Sequence, residues 1–202
     1  ESGSLDVNTK DPIFVPLYTP SALLNSVTMR TFNGLYWYKA KQKKIQILPL
    51  MPYFYPLDAI GSWNKLYGKS GFLQYQCAIP IENGVTNMRI LLTEITKNRE
   101  GSFLAVLKKF GKGNDNLLSF PIEGYTLTLD FKLTSSILKT LNKLDELVVS
   151  MGGRIYLTKD AVMQEVTFKS TYQKWEEFEY VREKYGAIGK FSSAQSKRLG
   201  LG

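Results

Sequence analysis

The clearest pattern of apolar and polar positions begins at Gly71. In Gly71–Pro80, GFLQYQCAIP, Leu73, Tyr75 and Cys77 fall on one side of a period-two repeat and Phe72, Gln74 and Gln76 on the other, which predicts a strand with one apolar face. Tyr125–Phe131, YTLTLDF, alternates more cleanly still: Tyr125, Leu127, Leu129 and Phe131 oppose Thr126, Thr128 and Asp130. Ser102–Phe110 reads as a third strand, with Leu104, Val106 and Lys108 on one face and Phe103, Ala105 and Leu107 on the other. Gly153–Thr158, GRIYLT, reads as a fourth.

Helical spacing fills the intervals. Val85, Met88, Leu91, Leu92 and Ile95 predict a helix over Gly84–Asn98. Ile137, Leu138, Leu141, Leu144, Val148 and Met151 predict another over Thr134–Met151, capped by Thr134 or Ser135 and stopped by Gly152 and Gly153. Gly111–Asn116 is a polar, glycine-rich loop. The order from Gly71 to Lys159 is therefore β-α-β-β-α-β, an α+β, ferredoxin-like arrangement: an antiparallel sheet with both helices on one face and the first and third strands at its centre. Thr126, Thr128 and Asp130 then lie on the open face beside Gln74 and Gln76, with Lys108 and Lys159 at its border. Such a face is either simply wet or the polar wall of a ligand site.

Outside this unit the pattern is weaker. Residues 1–33, interrupted by Pro12, Pro16 and Pro20, read as a connecting segment. Leu35–Ala40, LYWYKA, and Lys44–Leu50, KIQILPL, read as extra strands joined by the turn Lys41–Lys43, and Asp58–Tyr67 as a short helix with Trp63 inward. Toward the C-terminus, helices are expected over Asp160–Phe168, over Thr171–Tyr185 with Trp175, Phe178 and Val181 on one stripe, and over Phe191–Leu201, capped by Ser192 or Ser193. There Lys197 and Arg198 read as a solvated end.

Composition narrows the chemistry. The 202 residues include no histidine and one cysteine, which removes the commonest general base and excludes an internal disulfide. Cys77, on the apolar side of its strand, reads as a small core residue. No carboxylate cluster has metal-ligand spacing, so no metal is expected. The formal charge of +8 is scattered along the chain; it either serves solubility or faces an anionic partner, whether nucleic acid, a phosphorylated substrate or an acidic membrane surface. An RNA-binding ferredoxin-like module would carry aromatics on the open face of its third strand. YTLTLDF has them on the helix side, so no nucleic-acid partner is expected.

Several blocks in register carry a resemblance: PLDAIGSWNKLYGKSGFLQYQCAIP, SFLAVLKKFGKGNDNLLSFPIEGYTLTLDF, GGRIYLTKD and VREKYGAIGKFSSAQSKRLGL. Together they resemble the C-terminal substrate-binding domain of FAD-linked oxidases of the vanillyl-alcohol-oxidase type, in the decaprenylphosphoryl-ribose oxidase branch. The resemblance runs from about Thr31 to Leu201. It implies a substrate domain over residues 34–202, with residues 1–33 leading in from an FAD-binding domain that would precede Glu1 and is absent from this sequence. The isolated chain is then expected to be inactive.

By the same resemblance the cofactor is FAD and the reaction is oxidation of a secondary alcohol of a sugar, with a polyprenyl-phosphate-linked ribose as the substrate implied and peripheral membrane contact as a corollary. Lys159 in YLTKD matches the family lysine near flavin and substrate. Gln74 and Gln76 match active-site amides, Gln74 also at the flavin edge. Lys108 lines the substrate pocket, Leu104, Val106 and Phe110 form its apolar wall, and Tyr156 matches a tyrosine beside the flavin. The chain departs from the family where other members carry Asn and Cys, here Thr126 and Thr128, and near the PLD block, where it reads Phe54, Tyr55, Pro56. These changes imply an altered sugar or lipid carrier. The alternative is a stand-alone ferredoxin-like module that binds RNA or a small molecule without catalysis.

Overall fold

The computed structural model describes residues 13–20, 26–41, 50–55, 58–97 and 102–201. The chain divides into two compact units, residues 1–71 and 72–202.

The second unit holds the four-stranded sheet. Strands β3 (Phe72–Pro80), β4 (Ser102–Phe110), β5 (Gly124–Lys132) and β6 (Arg154–Ile155) alternate with helices α3 (Gly84–Lys97) and α4 (Ser135–Ser150). The spatial order β4-β5-β3-β6, with every pairing antiparallel, puts the first and third strands of the motif at the centre. This is the ferredoxin-like topology expected from the alternation.

β3 and β5 pair without a break from Phe72↔Lys132 to Pro80↔Gly124. Gly124 pins one end of that register, because a Cβ there would come within 2.0 Å of the Ile79 carbonyl oxygen. On the helix side, Tyr75, Cys77, Ile79, Leu127, Leu129 and Phe131 are buried against Met88, Leu91 and Ile95 of α3 and Ile137, Leu141, Leu144 and Val148 of α4. Val85, Leu92 and Leu138, which share the same periodicity, sit on the exposed flanks of those helices. α4 starts where the Thr134 hydroxyl accepts from the Ile137 amide at 3.1 Å, so one of the unpaired first-turn donors is satisfied by a side chain.

β6 is shorter than the expected strand. The Tyr156 amide still reaches the Gln76 carbonyl at 2.8 Å, but the chain then turns. Asp160 accepts from the amides of Val162 and Met163 at 3.0 and 2.7 Å, a local side-chain turn that competes with both sheet and helix. For the same reason the helix expected from Asp160 begins only at Glu165, as α5 (Glu165–Thr171). α6 (Trp175–Lys184) places Glu176 and Glu177 in its first turn and Arg182 and Lys184 in its last, matching the helix dipole at both ends. Trp175 and Phe178 of its predicted stripe pack on the core, while Val181 is exposed. α7 (Ala194–Arg198) opens with a capping box between Ser193 and Ser196. Arg198 is not a solvated end: it donates to Asp160 Oδ2 at 2.8 Å and to the Met163 carbonyl.

The first unit contains β1 (Ile13–Phe14), α1 (Ser26–Lys41), α2 (Leu50–Phe54) and β2 (Ile60–Gly61), followed by a 3-10 turn over Trp63–Tyr67. β1 and β2 pair in parallel. LYWYKA is therefore helical and not a strand. A short aromatic run has no decisive period of its own, and here the longer frame wins, with Phe32 and Tyr36 stacked one turn apart at 6.2 Å. Of the second expected strand, Leu50 begins α2 and the rest lies outside the described residues, as does most of the joining turn. The helix expected over Asp58–Tyr67 is replaced in its first half by β2, because Ile13 and Val15 bond the backbone of Ala59 and Gly61 at 3.0 and 2.9 Å. Trp63 is half-buried and meets Tyr67 edge-on at 6.0 Å.

Candidate active site

The sheet face opposite α3 and α4 is built by register. Gln74 pairs with Asp130, Gln76 with Thr128, and Thr128 with Val106; Thr126 lies opposite Lys108, and paired residues share a face. Phe110 follows Lys108 on the same side of β4. Tyr156 joins the row where its backbone amide donates a hydrogen bond to the Gln76 carbonyl. Leu104 falls in the irregularity between Ser102 and Ala105, where the Ser102 hydroxyl donates to the Leu104 carbonyl at 2.6 Å and accepts from the Asp130 amide at 3.0 Å.

The side chains on this face are tied to one another. Lys159 Nζ donates to Gln74 Oε1 at 2.6 Å, and Gln74 Nε2 donates to Asp130 Oδ1 at 3.0 Å. Gln76 Nε2 donates to the Thr126 hydroxyl at 3.1 Å. Thr126 and Asp130 are fully buried. The face is thus not open along its length, as the alternation alone suggested: the two amides cap a hydroxyl and a carboxylate that would otherwise need water. Burying such groups is tolerable only with partners.

Beside this polar row stands an aromatic shelf. Phe120 stacks on Tyr156 at 4.5 Å between centroids and meets Phe110 edge-on at 5.8 Å. Arg154 holds the loop that brings Phe120 in, donating to the Ser119 carbonyl at 2.7 Å. A cavity of about 460 Å³ is lined by Gln76, Phe110, Leu118, Phe120, Tyr156 and Tyr172 among others, a size suited to a small ligand or part of a larger one. Tyr172 closes its floor, with its hydroxyl on the Ile155 carbonyl at 2.7 Å.

Of the residues singled out in the sequence, Lys159 is hydrogen-bonded to Gln74, and Gln76 to Thr126. Thr128, Val106 and Lys108 share their face, and Phe110 and Tyr156 flank the cavity. Lys108 is exposed and Lys159 half-buried. Phe54 lies in the other unit, exposed at the end of α2 with its ring edge-on to Tyr53 at 5.0 Å. Sequence reasoning missed the part played by Asp130, although a carboxylate in the middle of a central strand is itself a signal. It also missed Phe120, which sits in a loop with no periodicity to mark it.

The electrostatics on the other side of the sheet separate core from site. Burial pushes the Cys77 thiol up to about 12, so it is an inert core residue as expected. Asp145 of α4 is buried and accepts from the Tyr75 hydroxyl at 3.0 Å. Burial, opposed by that bond, pushes its carboxyl up to about 7.

No family model matches the chain. It is 34% identical over 187 residues to decaprenylphosphoryl-beta-D-ribose oxidase of Mycolicibacterium smegmatis, a match covering 93% of this chain and 40% of that protein. It is 26% identical over 192 residues to an uncharacterized protein in the mprA 5' region of Streptomyces coelicolor, covering 94% of this chain and 51% of that one. The chain thus spans about half or less of the length of the curated relatives it matches, and it is similar to part of an oxidase.

Proposed function

We propose that this chain is the substrate-binding part of an FAD-dependent oxidoreductase that oxidises a secondary alcohol on a sugar, with a polyprenyl-phosphate-linked ribose as the substrate. The observation that carries the reading is the bond between Lys159 and Gln74 at the border of the amide and hydroxyl face. The similarity to part of an oxidase that is named for such a substrate supports it.

The donor set fits a flavin. An ammonium has three N–H donors, of which Gln74 takes one, and the electron-rich edge of a reduced isoalloxazine accepts such donors. When bound, the flavin supplies the hydride acceptor. Lys159 holds a positive charge beside that position, and Gln74 fixes where the ammonium sits. Gln76, held in place by its bond to the buried Thr126 hydroxyl, orients a sugar hydroxyl, and the shelf of Phe110, Phe120 and Tyr156 keeps water from the polar row. Thr126 and Thr128 stand where other members of the resembled family carry an amide and a thiol; the half-buried Thr128 offers its hydroxyl to the sugar, and the buried Thr126 acts through Gln76.

The reading is tested in the polypeptide that joins this sequence to a flavin-binding domain. Anaerobic addition of a polyprenyl-phosphoryl ribose is expected to bleach the flavin absorbance, and Lys159→Ala to slow that bleaching by roughly 10–1,000-fold. Lys97→Ala, at the exposed end of α3, should leave it unchanged. Equal rates for wild type and Lys159→Ala would remove the role of Lys159, and no bleaching by the lipid-linked ribose would remove the substrate.

A further inference from the structure

The later turns of α1, from Phe32 onward, carry an unusual surface. Phe32, Leu35, Tyr36, Trp37 and Tyr38 are each between 57% and 70% exposed. Large aromatic side chains gain more than others by leaving water, and a contiguous set of them in solvent marks an interaction surface. Phe32, Leu35 and Tyr36 share one face at i, i+3, i+4 spacing, while Trp37 and Tyr38 carry the aromatic surface round the rest of the final turn.

The charge of the same stretch has one sign. No Asp or Glu occurs between Asp11 and Asp58, whereas Arg30, Lys39, Lys41, Lys43 and Lys44 do. Five of the formal +8 thus come from one acid-free stretch, and the charge is less scattered than a reading of the whole chain suggests. Arg30 and Lys39 lie on α1 itself, both exposed.

We propose that α1, from Arg30 to Lys39, seats this protein on an anionic phospholipid surface, with Phe32, Leu35, Tyr36, Trp37 and Tyr38 entering the headgroup boundary and Arg30 and Lys39 meeting the lipid phosphates. Side-chain chemistry favours lipid over a protein groove. Trp and Tyr, apolar in body and polar at the tip, are the side chains of the lipid–water boundary, and the basic residues beside them complement its negative potential. No helix among the described residues is long and apolar enough to cross a membrane, so the contact is peripheral. Membrane contact is also what a lipid-linked substrate would require, but this surface is argued from α1 alone, and its test needs neither flavin nor sugar.

The test is co-sedimentation of the 202-residue chain with phosphatidylcholine vesicles made with and without phosphatidylglycerol. The chain is expected to pellet with the anionic vesicles only, and to be released as salt shortens the screening length. Tyr36→Ser/Trp37→Ser/Tyr38→Ser should weaken partitioning by roughly tenfold or more with no change in thermal unfolding. Arg30→Gln/Lys39→Gln should weaken it roughly fivefold for each cation removed, and the second variant keeps the test decisive if the first unfolds. Failure to pellet with anionic vesicles, equal binding to neutral ones, or wild-type binding by both variants would overturn the proposal.

Discussion

The ammonium of Lys159 and the side-chain carbonyl of Gln74 meet at 2.6 Å across 85 residues of chain. Gln74 passes the contact on, because its amide nitrogen donates to the buried carboxylate of Asp130. A cation at the rim and a buried carboxyl group within the sheet are thus linked through one neutral side chain. The glutamine has little freedom left, and Lys159 is held over β3.

This linkage predicts coupling. Gln74→Leu keeps bulk on the strand but removes the amide donor to Asp130 and the acceptor for Lys159, and should cost about 1–3 kcal/mol in urea unfolding. Lys159→Met alone should cost less, since the Gln74 side-chain carbonyl it leaves unpaired is half-buried and can rehydrate. Combined with Gln74→Leu, it should show an interaction term of about 0.5 kcal/mol or more. Strictly additive effects would mean that the lysine and the glutamine are held independently.

Asp145 gives a pH dependence of definite sign. Burial raises its carboxyl to about 7, the Tyr75 hydroxyl and Arg198 oppose the rise, and Asp160 and Glu146 add to it. An unfolded aspartate titrates near 3.9. Between about 4 and 7 the folded chain therefore holds more protons than the unfolded one, and this group's contribution to stability falls as pH rises through that window. Asp145→Asn keeps an acceptor for Tyr75 without the charge. It should raise the denaturation midpoint above pH 7, by an amount on the order of a few kcal/mol at most, and flatten the slope between pH 4 and 7. A wild-type stability that climbs across that window, unaltered by the substitution, would contradict this.

The start of α4 rests on one hydroxyl. Thr134→Ala removes the acceptor for the Ile137 amide and should cost about 0.5–2 kcal/mol, while Thr134→Ser should cost little. Unfolding midpoints for the two variants check this; equal losses would point to the Thr134 methyl group instead.

Periodicity made the second unit legible. The alternation in YTLTLDF and the apolar spacing along α4 are local consequences of the strand pleat and the helical turn, and each occurs in a segment long enough for its period to be unambiguous. Their order then left one economical topology. LYWYKA was misread because six residues rich in aromatics satisfy a strand preference without excluding a helix. The helix beyond Asp160 was placed early because a single carboxylate bonding two backbone amides can delay it.

The chain's own order of residues thus settled which side of each strand is apolar, where α4 begins, and that Gln74 shares a face with Gln76 and Thr126 with Thr128, since all of these follow from geometry between near neighbours. It could not settle that Asp130 is buried under Gln74, that Lys159 closes over both, that Asp145 lies in a pocket that withholds its charge, or that Phe120 shelters Tyr156. Those outcomes depend on which groups distant in the chain exclude water from one another. That is a property of the folded packing, and no period in the sequence encodes it.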